Sequence, residues 1–274
     1  MSVFIVDPDK CDRDGLCVLE CPAQIIEMDK NDPVPRPSEM AGDLCMDCGH
    51  CVAVCPKGAF FHRSMSPDEC PPLQKELLLG PEQAAHFLRS RRSIRVWKDK
   101  KVEKDLIEKL IKTARFAPSG HNLQPVMWHV IHDRKDVEKM AGHVADWMRY
   151  MMTEHKDVAE MMHMDLVVEK WEKGSDGICR GAPHVIVAHG PAQDPTAQTA
   201  ATIALTYLDL AAHALGLGSC WAGFFNAAAA FFPPMQKALG LPEGNACLGA
   251  MMLGYPRLKY HRLPNRKEPV ITWA

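Results

Sequence analysis

The sequence lacks a dominant charge: its 274 residues carry 32 Lys and Arg against 34 Asp and Glu, a formal net charge of -2. No global field therefore draws it to nucleic acid or to an anionic membrane, and neither is expected as a partner. It lacks, over residues 1–10, the basic start, long apolar stretch and small-residue cleavage site of a secretory leader, so a reducing cytoplasm is the expected location. It also lacks an uninterrupted apolar run of bilayer length. Residues 210–236 contain no Asp, Glu, Lys or Arg, but Gly216, Gly218, Gly223, Asn226, Pro233 and Pro234 divide them into a helix end, a turn and a second short helix. Such a segment suits a buried core or a subunit interface. A disulfide framework is absent as well. Of 11 cysteines, seven lie between Cys11 and Cys55 and the other four are scattered, a clustering that reads as ligation. The length and a 47% hydrophobic content predict two unequal domains.

Cys45-Met-Asp-Cys48-Gly-His-Cys51-Val-Ala-Val-Cys55-Pro56 follows C-x2-C-x2-C-x3-C-P without a gap, the run in which three thiolates hold one cubane and the fourth serves a second. A zinc ribbon uses two separated C-x2-C pairs and has no role for a third close thiolate followed by Cys-Pro. Upstream, Cys11-Asp-Arg-Asp14-Gly-Leu-Cys17-Val-Leu-Glu-Cys21-Pro22 repeats the frame with Asp14 in the second cysteine's place. Each half continues into a short apolar turn, as two pseudo-symmetric hairpins would. This repeat resembles the two-cluster bacterial ferredoxin family over residues 2 to about 63. The resemblance implies that Cys45, Cys48, Cys51 and Cys21 hold one 4Fe-4S cluster and that Cys11, Cys17 and Cys55 hold the other. Carboxylate is a harder and weaker iron ligand than thiolate, so the Asp14 site is either an Asp-ligated 4Fe-4S cluster or a 3Fe-4S cluster.

Residues 64–85, mixing proline, glycine and acid, read as a connector. Beyond them 82–90 reads as a short helix and 102–116 as an amphipathic one, with strands expected over 126–132, 184–189 and 247–255. The basic patch Arg89-Ser-Arg91-Arg92-Ser93-Ile-Arg95 reads on its own as a solvated turn as readily as a site. The Met-rich stretch between Trp147 and Trp171 reads either as helical core or as a mobile lid. His155 and His163 within it, two helical turns apart and without a third ligand, are not read as a metal site.

Four motifs in order carry a second resemblance. Arg91-x-Ser93-x-Arg95, Ala117-Pro-Ser119-Gly-His121-Asn122-Leu-Gln124-Pro125, Gly218-Ser-Cys220-Trp221-Ala222-Gly223, and Gly254-Tyr-Pro with Pro264-Asn-Arg266-Lys267 resemble the flavin-dependent nitroreductase superfamily over about 86–274. The implied fold is α+β: a small ferredoxin-type two-cluster domain (1–63), the connector, then an α/β sandwich with a mainly antiparallel central sheet (86–274). The implied cofactor is FMN, bound in a homodimer. Arg91, Arg95 and Arg266 with the Ser93 hydroxyl would bond its phosphate, where guanidinium forks bond oxyanions bidentately, and Arg92 and Lys267 would also touch the cofactor. Asn122 and Gln124 would face the pyrimidine edge unless they only brace their own loop, Ser119 would touch the cofactor as well, and Cys220 to Gly223 would approach the ring near N5.

The combination implies an oxidoreductase in which clusters relay single electrons to a flavin that reduces a small acceptor, whether a nitroaromatic, quinone, activated alkene or halogenated aromatic. Reduced ferredoxin, flavodoxin or NAD(P)H are the expected donors, and the missing G-x-G-x-x-G loop decides nothing because relatives dock nicotinamide on the flavin itself. No catalytic acid is assigned: solvent, Cys220, His121 and a lid residue all stand. A non-catalytic electron-transfer or flavin-carrying module, serving a partner protein that performs the chemistry, is the alternative from another class. Flavin fragmentation, or a corrinoid substrate, has no distinctive residue here.

Overall fold

A computed structural model describes residues 2–274, which fall into two compact units. The first comprises residues up to Leu79 together with Gly120–Leu123. It contains β1 (Phe4–Val6), α1 (Leu16–Glu20), β2 (Ile26–Glu27), β3 (Arg36–Pro37), α2 (Ala41–Leu44), α3 (His50–Val54) and β4 (Phe60–His62). β1 pairs antiparallel with β4, and the rings of Phe4 and Phe60 pack with centroids 4.4 Å apart in its core. The repeat read in the sequence is visible in the backbone. α1 and α3 each follow a glycine at positive φ, Gly15 at 71° and Gly49 at 73°. Each ends at an extended cysteine, Cys21 or Cys55, because the proline that follows disfavours helical geometry in the residue before it.

The second unit holds the remaining residues. Its elements are α4 (Pro81–Ser90), α5 (Lys104–Ala114), β5 (Met127–Ile131), α6 (Arg134–Glu154), α7 (Lys156–Met161), α8 (Met164–Glu172), β6 (His184–Pro191), α9 (Ala197–Ala214), β7 (Gly218–Trp221), α10 (Gly223–Phe231), α11 (Pro233–Leu239) and β8 (Asn245–Gly254). The four strands form one antiparallel sheet in the order β5-β6-β8-β7. Side chains alternate across a strand, so β6 sorts its residues between two cores. Val185 and Val187 pack with Val144, Met148, Phe225 and Met235 of α6, α10 and α11. Ile186 and Ala188 pack with Leu110, Leu205 and Leu208 of α5 and α9. Helices therefore cover both faces, which is why β6 and β8 are nearly continuously apolar. No described helix is long and apolar enough to cross a membrane.

Where a turn is expected within 210–236, strand β7 forms, and its pairing with β8 supplies the ladder that its four residues cannot announce. Of the Met-rich stretch, Met148 and Met164 are fully buried while Met161 is 73% exposed, so part of it is core and part is surface.

A stacked histidine pair ties this unit together. Val102 N–H donates to His184 Nε2 (2.8 Å), and His184 Nδ1–H donates to the His132 carbonyl (2.8 Å). His184 is fully buried and neutral in that arrangement, and burial pushes its imidazole down to about 4. The unfolded chain takes up that proton near pH 6.5 and the folded chain only near pH 4, so stability is full above about 6.5 and falls as the pH drops. By about pH 4 the loss is roughly 3 kcal/mol, at about 1.4 kcal/mol per pH unit of displacement. All six tryptophans lie in the second unit, so tryptophan-monitored urea unfolding reports on it. The acid loss of midpoint is expected to shrink in His184→Asn; an identical pH slope in the variant would refute the assignment.

Candidate functional site

In the first unit the ligand-type residues converge on two cavities. Cys21, although it belongs to the first cysteine run, lines one cavity with Cys45, Cys48 and Cys51. Cys55, from the second run, lines the other with Cys11, Asp14 and Cys17. Every cysteine is free. The crossing follows the hairpin pseudo-symmetry: the cysteine that ends each short helix lines the cavity of the other run. Burial pushes the Cys51 thiol up to about 12, with the Cys48 and Cys45 sulfurs adding to it, and the Cys17 thiol up to about 11. Such thiols bind metal only by releasing protons, so assembly of a metal centre is coupled to deprotonation. Four sulfurs around one cavity, and three sulfurs with a carboxylate around the other, fit two iron–sulfur clusters. Backbone amides already point at two of the sulfurs, Arg13 N at Cys11 Sγ (3.4 Å) and Ala59 N at Cys55 Sγ (3.3 Å). Asp14 is exposed, and its carboxylate accepts from its own turn at Leu16 N (3.1 Å).

Beside Cys45 stand three residues that the sequence reading did not single out. Asp47, at φ 49°, accepts two bonds from Arg63 (2.9 and 3.2 Å), which hold its carboxyl below the usual range. The sulfur of Cys45, the Asp47 carboxylate and the His62 ring offer ligand atoms within 4.8 Å of one another. Burial pushes His62 down against the pull of Asp47. A histidine closing the apolar strand Phe60-Phe61 was the available signal. Asn122 belongs to this unit, where its Nδ2 donates to the carbonyls of Met46 (3.3 Å) and Asp47 (3.1 Å).

In the second unit the chain from Ser93 to Trp97 runs beside the sheet: Ser93 bridges Ser219 of β7 in parallel, and Trp97 bridges Pro256 beyond β8. The approach needs glycine, since a Cβ on Gly218 would come within 2.4 Å of Ile94 Cγ1. Ile94 is buried beneath this segment and the arginines on either side of it diverge. Arg91 and Arg92 line a cleft of about 290 Å³ with Asp209, His213, Ser219 and Tyr260. Arg91 Nη1 is 3.3 Å from Asp209 Oδ2, and Ser219 Oγ donates to Oδ1 of the same carboxylate. Burial pushes the Asp209 carboxyl up, while Ser219 and Arg91 oppose it. Arg92 Nε is buried with no acceptor, while its Nη2 donates to the Arg89 carbonyl (2.5 Å). Arg95 faces a different cleft, with Trp97, Lys98, Arg134, Arg180 and Arg257. Asp209 was overlooked in the sequence, although a lone acid among Leu205, Leu208 and Ala212 on an apolar helix face is itself a signal.

The other expected residues are dispersed. Ser119 Oγ accepts from Gln124 N (3.0 Å), and His121, Asn122 and Gln124 all hold left-handed backbone, a concentration of strain typical of functional loops. Cys220 and Trp221 end β7, Ala222 caps α10 and Gly223 opens it. Arg266 and Lys267 are exposed in a segment without regular structure, and Arg266 bonds only to Asn265, so neither is brought to the Arg91 cleft.

An antiparallel sheet covered on both faces, with an arginine cleft at its edge, joined to a unit bearing two thiol-lined cavities, defines a redox protein of two modules. Residues 88–255 match the Nitroreductase family and residues 9–59 match a 4Fe-4S dicluster domain. The chain belongs to the Nitroreductase family, and is an oxidoreductase. It is 30% identical over 198 residues to an NADH dehydrogenase of Thermus thermophilus, covering 67% of this chain and 92% of that one. It is 35% identical over 69 residues to a 7Fe ferredoxin of Hydrogenibacillus schlegelii, covering 25% of this chain and 82% of that one. Its fold is similar to an FMN-bound nitroreductase from Bacteroides fragilis (TM-score 0.55, 19% identity, 69% of this chain and 99% of the other). An FMN-bound nitroreductase from Desulfitobacterium hafniense is comparable (TM-score 0.54, 22% identity, 67% and 93%).

Proposed function

We propose that this chain is an FMN-dependent oxidoreductase in which two iron–sulfur clusters relay single electrons toward a flavin for reduction of a small acceptor. The observation that carries the reading is the division of seven cysteines and Asp14 between two cavities, a donor set suited to cubane iron and to neither disulfides nor a single zinc ion. Functionally the chain divides into residues 1–63, a connector over 64–85 whose residues to Leu79 pack with the first unit, and residues 86–274. Bound FMN supplies exchange between one-electron and two-electron chemistry. Arg91, oriented by Asp209, and Arg92, with its unpartnered Nε, would hold the phosphate, with Ser93 beside them. Cys220 to Gly223 would bring backbone toward the ring. A homodimer is part of the reading: Val270 and Trp273 are 99% and 89% exposed in the C-terminal segment that carries Arg266 and Lys267, and a second copy would cover them. The FMN in the two structural relatives supports the cofactor, and the name of the Thermus relative supports NADH as one donor beside ferredoxin or flavodoxin.

For the Asp14 site we infer a 3Fe-4S cluster, because the carboxylate is exposed and engaged by its own turn, and the ferredoxin relative is named for seven irons. Asp14→Cys is expected to raise iron from about seven to about eight per chain and to replace the 3Fe spin signal with a 4Fe one. An unchanged spectrum would place Asp14 away from the cluster.

The reading as a whole is tested by anaerobic purification with iron, sulfide and flavin analysis. Rapid mixing with reduced ferredoxin, NADH or NADPH, and with nitroaromatic, quinone and enone acceptors, follows. Chains without flavin would sink the flavin assignment; bound cofactors with no turnover of any acceptor would make the protein an electron carrier.

A further inference from the structure

The sulfur of Cys45 has an imidazole against it: His62 Nε2 lies 3.3 Å from Sγ. His62 closes β4, with a side chain only 1% exposed. Its other ring nitrogen decides where the hydrogen sits. The backbone N–H of Ser64 is directed at Nδ1 (3.2 Å), and an amide N–H can only donate, so Nδ1 is an acceptor. The Ser64 hydroxyl, 2.8 Å from Nδ1, is free to donate there too. The neutral ring therefore carries its hydrogen on Nε2. Two acceptors lie near that hydrogen. Asp47 Oδ1 is 3.4 Å from Nε2, beyond the usual range for N–H···O, and its charge is held by the two bonds from Arg63. The larger sulfur at 3.3 Å is in full contact, so Cys45 is the acceptor that the geometry favours.

We propose that His62 is a positioning residue for the site of Cys21, Cys45, Cys48 and Cys51, donating an N–H···S bond to Cys45 that raises the reduction potential of the cluster held there. The inference rests on the reading that these four thiolates hold a 4Fe-4S cluster. One-electron reduction makes the cluster more negative and spreads charge onto its sulfurs, so a donor aimed at one of them stabilises the reduced form more than the oxidised form. The Asp14 site has no histidine among the residues lining its cavity, which makes its potential an internal control.

The test is a spin-resonance-monitored redox titration of the full chain as His62→Leu, close in volume and without a donor, and as His62→Gln, whose side-chain amide restores one. His62→Leu is expected to shift the oxidised-to-reduced ratio at a fixed ambient potential about tenfold toward oxidised, which is 59 mV for a one-electron couple. His62→Gln recovers most of the shift, and the Asp14 site does not move. An iron-loaded His62→Leu protein with an unshifted potential overturns the role of His62 and leaves the cluster assignment intact. If His62→Leu fails to load iron, wild-type protein labelled with 15N-histidine decides. Spin-echo modulation from a histidine nitrogen at the reduced cluster, absent in His62→Gln, supports the bond, and its absence in the wild type overturns it. A wild-type chain without a 4Fe spin signal would instead sink the underlying cluster reading.

Discussion

Replacing Cys55 by alanine is expected to abolish the cluster of the Asp14 site, whereas replacing Cys21 leaves that site untouched and removes only about one iron from the other. The asymmetry follows from ligand number. Cys55 shares its cavity with Cys11, Cys17 and a carboxylate; without it two thiolates remain, too few for a cuboidal cluster. Cys21 shares its cavity with three other thiolates, which can still hold a 3Fe-4S remnant. Cys55→Ala should therefore lower iron by about three per chain, and Cys21→Ala by about one while adding a 3Fe spin signal. Iron analysis with Mössbauer and spin-resonance spectra separates the two. If ligation instead followed chain order, Cys21→Ala would strike the Asp14 site and Cys55→Ala the complete one, reversing the spectra.

The cleft beside β7 makes the second strong prediction, one in which binding and stability separate. Arg92→Ala is expected to weaken flavin retention about tenfold with little change in thermal midpoint. Its Nε makes no bond in the folded chain and its Nη2 only an exposed one to the Arg89 carbonyl, whereas a charge-assisted hydrogen bond to phosphate contributes about 1.5 kcal/mol. Arg91→Ala should weaken flavin at least as much and also destabilise the second unit by about 1–2 kcal/mol. It strands the buried Asp209 carboxylate, an effect moderated because the guanidinium is itself 30% exposed. Flavin content after gel filtration, titration of the flavin-free chain and tryptophan-monitored melting measure both effects. Full flavin retention in both variants would remove the phosphate from this cleft.

Much of this protein was legible in the order of its residues because the relevant signals are local. Thiolates a few residues apart on tight turns are a local signal, so the two Cys-Pro runs, one with Asp14 in a cysteine's place, marked the side chains that line the two cavities. Amphipathic spacing located α5, and apolar β-branched runs located β5, β6 and β8. Other features arise only when distant segments meet. β7 was read as a turn because four residues between glycines become a strand only by pairing with β8. Arg91 and Arg95 look like one patch in sequence, yet Ile94 is buried between them and they face separate clefts. Asp209 meets Arg91 from a helix far away in sequence, and His62, at the end of β4, meets Cys45 across a separation of 17 residues. Residue spacing determined which groups could bind metal and anion; side-chain direction, burial and partners set by packing decided which of them face each other.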